Sequence, residues 1–66
     1  MKVQINGEKR EFPEEEMTVQ QLLDELALGY PVLVERNGEA LFPREFEELK
    51  LQDGDSLELL RMVAGG

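Results

Sequence analysis

Residues 18–31 read TVQQLLDELALGYP, and this stretch decides how the rest of the chain must be arranged. Val19, Leu22, Leu23 and Leu26 recur at i, i+3, i+4 and i+7, which puts four apolar side chains on one helical stripe. Thr18, with Gln21 three residues later, forms a capping box, so Thr18 is the expected N-cap. Gly29 suits the C′ position and Pro31 blocks any extension, which predicts a helix over about 19–28. Glu14 to Glu16 lie just before the positive end of its macrodipole. A single apolar stripe has one surface to cover, so the leucines are core rather than a binding box.

On either side of the helix the period changes from helical to alternating. In KVQINGEKREF (2–12), Val3 and Ile5 alternate with Lys2, Gln4 and Asn6, and Asn6-Gly7 then signals a type I′ hairpin turn. The returning strand is expected over 9–13, with Phe12 inward. In PVLVERNGEALF (31–42), Val32 and Val34 share one face and Leu33 takes the other. Asn37-Gly38 repeats the hairpin signal, and Glu39 to Phe42 is the short return. Pro43 opens a single helical turn, PREF. Asp53-Gly54 is a tight turn before a final strand from about Ser56 to Val63. Asp53-Gly54-Asp55 has too few oxygen ligands at the required spacing for a calcium loop.

The element order is therefore β-β-α-β-β-β. A strand before the helix and one after it pair in parallel through a crossover, while the hairpins pair antiparallel. A mixed sheet of four to five strands with one main helix across it is an α+β roll, the β-grasp arrangement. Sixty-six residues make one such domain.

Composition narrows the function. There is no Cys and no His, which excludes disulfides, thiolate and imidazole metal ligands and the commonest general base. Seven basic against fifteen acidic residues give a net charge of −8, which argues against nucleic acid and anionic membrane and favours a basic partner groove. Solubility alone is the competing reading of that charge. No apolar run approaches the roughly 20 residues that span a bilayer, and MKVQINGEKR lacks a signal-peptide stretch, so a cytoplasmic protein is expected.

The chain reads RMVAGG at 61–66. A frayed terminus is the bland reading of Gly65-Gly66, with the tail of the domain over 64–66. A slim arm is the sharper one, because glycine lets backbone approach a ligand closely. Residues 62–66, extended, reach roughly 16 Å at about 3.3 Å each. On the last strand Leu57, Leu59 and Val63 are expected on one face, and Glu58, Leu60 and Met62 on the other. If the first set faces the helix, Leu60 and Met62 form an exposed docking patch beside the tail, unless a bulge shifts the phase and buries them.

The terminal Gly65-Gly66, the Asp53-Gly54-Asp55 turn before the last strand, and Pro43-Arg44 after the second hairpin, in this order and length, resemble the ubiquitin-like sulfur carriers of the ThiS/MoaD family. The chain is most similar to the thiamine-biosynthesis branch (ThiS-like), and less so to the usually longer molybdopterin-synthase small subunit. The resemblance implies a non-enzymatic protein co-substrate that binds no cofactor itself. A ubiquitin-activating-type adenylyltransferase, using ATP and magnesium, would adenylate the Gly66 carboxylate. A persulfide sulfur donor would convert it to a thiocarboxylate, and a thiazole synthase would accept the sulfur. Gly66 then carries the chemistry, Gly65 forms the arm, and Glu58, Leu60, Met62, Val63 and Ala64 meet the partner. A protein modifier with the same activated tail, a carrier for molybdopterin or tRNA thiolation, and a β-grasp interaction domain are the alternatives.

Overall fold

Both Asn-Gly pairs form the turns that their spacing demands. In the computed structural model, which describes residues 1–63, Asn6 and Gly7 have φ of 51° and 83°, and Asn37 and Gly38 have 50° and 86°. Positive φ at both centres matches the twist of the flanking strands. The first turn joins β1 (Lys2–Ile5) to β2 (Glu8–Glu11), and the second joins β3 (Val32–Arg36) to β4 (Glu39–Leu41). Between the hairpins lies α1 (Val19–Leu26), and β5 (Ser56–Arg61) follows a 3-10 turn at Pro43–Glu45.

The five strands form one sheet in the order β2-β1-β5-β3-β4. β1 and β5 run parallel at its centre, and every other neighbouring pair is antiparallel. This is the expected β-grasp roll, with the last strand inserted between the two hairpins. The helix packs its stripe on one face. Val19, Leu22, Val34 and Leu57 are almost fully buried, and Leu23 and Leu26 pack partly buried against them. Each large aliphatic side chain so buried contributes about 1.5–3 kcal/mol.

The capping box is present: Thr18 Oγ1 accepts from Gln21 N at 3.1 Å, and Gln21 Oε1 accepts from Thr18 N at 2.8 Å. The first-turn N–H groups of Val19 and Gln20 donate instead to the carbonyls of Leu49 (3.1 Å) and Phe46 (2.9 Å). The segment after the 3-10 turn thus supplies acceptors that the helix cannot provide for itself.

Several boundaries differ from those expected. The helix stops at Leu26 rather than 28, because Ala27 takes the left-handed conformation (φ 48°) and its N–H closes on Leu23 O. The role assigned to Gly29 thus falls to Ala27, and Gly29 lies in the following loop. β2 covers Glu8–Glu11, and Phe12 is buried as expected but lies beyond the strand, its N–H held by Met1 O. β4 ends at Leu41, because the chain must turn at Pro43, and Phe42 is left exposed. β5 ends at Arg61 rather than Val63, since β3 begins at Val32, the partner of Arg61.

Candidate functional site

The last strand places the expected patch. Its register with β3 is continuous from Arg36↔Leu57 to Val32↔Arg61, so no bulge shifts its phase. Leu57 and Leu59 face the helix and are buried. Leu60 faces outward and is 45% exposed, directly opposite Leu33, which is 53% exposed. One step back, Glu58 lies opposite Glu35. An apolar pair and a pair of like charges therefore sit on neighbouring rungs of the open sheet face. Like charges directly opposite are destabilising in a sheet, so this pairing is not there for stability. Exposed Phe42, with the Arg44 guanidinium 5.1 Å from its ring centre, lies just past the end of β4.

Beyond Leu60 the alternation no longer applies. Val63, expected to share the inward face of Leu57 and Leu59, is 84% exposed because the ladder has ended. Met62, expected beside Leu60, lines a cleft with Leu23, Ala27, Leu28, Pro43 and Phe46 at the end of the helix, while remaining half exposed. Its N–H donates to Pro31 O at 3.0 Å. Arg61 lays its guanidinium over the Tyr30 ring, 4.4 Å from the centroid. Ala64, Gly65 and Gly66 lie outside the described residues.

Two features escaped the sequence reading. Asp55 is buried and accepts from Gln52 N (2.8 Å), Arg36 Nε (3.0 Å) and Asn37 Nδ2 (3.1 Å). Burial pushes its pKa up, but these donors outweigh it and hold the carboxyl below its ordinary value. Asn6 reaches past its own turn: its Oδ1 accepts from Leu59 N at 2.8 Å, and its Nδ2 donates to Leu59 O at 3.3 Å. Apart from Gln52, three residues before Asp55, the partners lie 18 or more residues away, so no local signal marks the contacts to Arg36, Asn37 or Leu59. Among the described residues no cluster of acidic side chains is arranged to hold a metal ion. Nor, among the described residues, is any helix long and apolar enough to cross a membrane.

The ThiS family model matches residues 3–66, nearly the whole chain. The chain belongs to the ThiS family. It is 34% identical to the sulfur carrier protein ThiS of Bacillus subtilis over 65 residues, covering 97% of this chain and 98% of that protein. It is 42% identical to a thiazole synthase of Paramagnetospirillum magneticum over 67 residues, but spans only 20% of that protein's length. The crystal structure of the thiamine biosynthesis protein ThiS from Geobacter metallireducens superposes with a TM-score of 0.84 at 34% identity, covering both chains completely. Its solution structure gives 0.78 at 35% identity, covering 100% of this chain and 88% of that one. The resemblance to ThiS-like sulfur carriers, carried in the sequence by the terminal glycines and two turn motifs, is thereby borne out. So is the β-grasp fold of this ThiS-family chain.

Proposed function

We propose that this protein carries sulfur for thiamine biosynthesis as a thiocarboxylate on Gly66. The observation that carries the reading is the family match through residue 66, together with near-complete coverage of the Bacillus sulfur carrier. A carboxylate is a poor electrophile at neutral pH. An activating enzyme of the adenylyltransferase type, with ATP and magnesium, would join it to AMP and release pyrophosphate. The terminal sulfur of a persulfide donor would then attack the acyl carbon and expel AMP. Reduction of the resulting acyl disulfide by a thiol would free the thiocarboxylate.

The carrier needs no base, nucleophile or metal of its own for these steps. Its part is to dock and to present Gly66 on the arm that includes Ala64 and Gly65. The exposed Leu33–Leu60 pair, with Glu35 and Glu58 beside it, suits a partner surface that is apolar at its centre and basic at its edge. Met62 and Val63 would complete that contact next to the arm. Thiazole synthase is the proposed acceptor. The Paramagnetospirillum protein supports this, because a thiazole synthase there includes in one polypeptide a segment similar to the whole of this chain.

The test is incubation with an activating enzyme, ATP, magnesium and a persulfide donor. Intact mass should show one oxygen replaced by one sulfur, mapped to the peptide ending in Gly66. Deleting Gly66 should abolish the change without lowering Tm. Absence of both adenylate and thiocarboxylate in the wild-type protein would end this reading. Conjugation of the tail to lysines would replace it with the modifier reading.

A further inference from the structure

The end of β5 is supported on one side only. β1 pairs with β5 at Gln4↔Ser56 and Ile5↔Leu57 and then turns away, so Leu60 and Arg61 have only β3 as a strand neighbour. The Asn6 side chain braces Leu59, two residues beyond Leu57. Past that point the β3 ladder continues to Arg61 and Met62 rests against the cleft at the helix end, and two further contacts come from the dipeptide Tyr30-Pro31. The Arg61 guanidinium stacks on Tyr30, and Met62 N–H donates to Pro31 O. The bracket is stiff, because proline fixes its own φ and keeps the preceding residue extended. Tyr30 does not belong to the core, being 38% exposed, and Arg61 makes no ion pair among the described residues despite the fifteen acids in the chain. Neither residue is needed to fill the interior.

We infer that Tyr30 is a positioning residue: with Pro31 it brackets Arg61 and Met62 and so sets the point and direction at which the chain leaves the sheet. This rests on the proposed reaction at Gly66. With the bracket closed, the chain beyond Met62 is 63–66, which spans at most about 13 Å at about 3.3 Å per residue. With the bracket open, Arg61 and Met62 sample directions that a narrow partner channel does not accept. The population able to enter falls, and apparent affinity falls in the same proportion.

The experiment compares wild type, Tyr30→Ala, Tyr30→Phe, Arg61→Ala and the Tyr30→Ala/Arg61→Ala double variant. Thiocarboxylate formation is measured against carrier concentration, and backbone 15N order parameters are measured at Arg61 to Val63 in the free protein. An exposed cation–π stack supports about a two- to fivefold rise in KM for Tyr30→Ala, with kcat unchanged at saturating carrier. Tyr30→Phe keeps the ring and should restore the wild-type KM. The double variant should be no worse than Arg61→Ala, because both changes break one contact. Order parameters should fall at Arg61 and Met62 in Tyr30→Ala while Tm barely moves. An unchanged KM, an effect on kcat alone, or additive losses in the double variant would overturn the assignment. So would unchanged order parameters, a readout that holds even if wild-type protein forms no thiocarboxylate and the proposed reaction itself fails.

Discussion

Arg36 donates through Nε to Asp55 Oδ2 at 3.0 Å, tying the end of β3 to the turn that feeds β5. Among the described residues Asp55 is the one charged residue with a buried side chain, and its other oxygen takes the side-chain amide of Asn37. The central strand therefore enters the sheet under a polar lock that joins both of its flanking segments.

Replacing Asp55 with Asn should cost about 3 kcal/mol at neutral pH, the low end for breaking a buried pair because Arg36 keeps some solvent contact. The folded-state pKa of Asp55 is depressed, so its stabilisation is present above the unfolded value, near 3.9, and is lost as pH falls through the folded value. Wild-type stability should decline in acid, and the gap to Asp55→Asn should narrow there. A gap that stays constant from pH 7 to pH 2 would mean that ionisation of Asp55 contributes nothing.

Glu25 gives the opposite sign. Its pKa is raised by desolvation and then by the neighbouring Glu14 carboxyl, one of whose oxygens is buried with no hydrogen-bond partner among the described residues. A raised folded pKa contributes stability below the unfolded value, and that contribution is lost as pH rises through the folded value. At pH 7 the two carboxylates repel. Glu25→Gln should therefore raise Tm at pH 7, with the advantage vanishing below about pH 4. A Tm gain that persists unchanged in acid would point to something other than charge.

Asn6→Gly separates the two roles of that residue. Glycine keeps the positive φ of the turn but loses both side-chain bonds to Leu59. The expected loss is about 1–2 kcal/mol, with faster hydrogen exchange at the Leu59 amide. Unchanged protection at Leu59 would show that the brace does not hold the strand.

Leu60→Asp should leave the fold intact, because the side chain faces solvent opposite Leu33, and should weaken binding to the activating enzyme by about tenfold or more. Association of the wild-type protein should slow with added salt, as screening shortens from about 10 Å at 0.1 M to about 3 Å at 1 M. Loss of the fold in Leu60→Asp would assign the residue to packing, and a salt-independent rate would reduce the acidity to a solubility device.

Much of this protein is determined locally. The stripe of Val19, Leu22, Leu23 and Leu26, the Thr18–Gln21 box and the two Asn-Gly turns each depend on residues within a few positions of one another, so period and turn chemistry are enough to place them. The family is legible in the same way, from short motifs in order. What the sequence left open is where each element stops and what the turn residues do next. The helix ends at Leu26, where Ala27 turns left-handed, and β5 ends at Arg61, where β3 begins. Asn6 and Asn37 serve as turn formers by sequence, but as strand partners of β5 only once residues 19 to 53 positions away are brought alongside. The lock at Asp55 and the bracket at Tyr30-Pro31 have the same origin. A hydrogen bond or a ring stack acts over a few ångströms, and only the closed sheet brings these distant residues within that range.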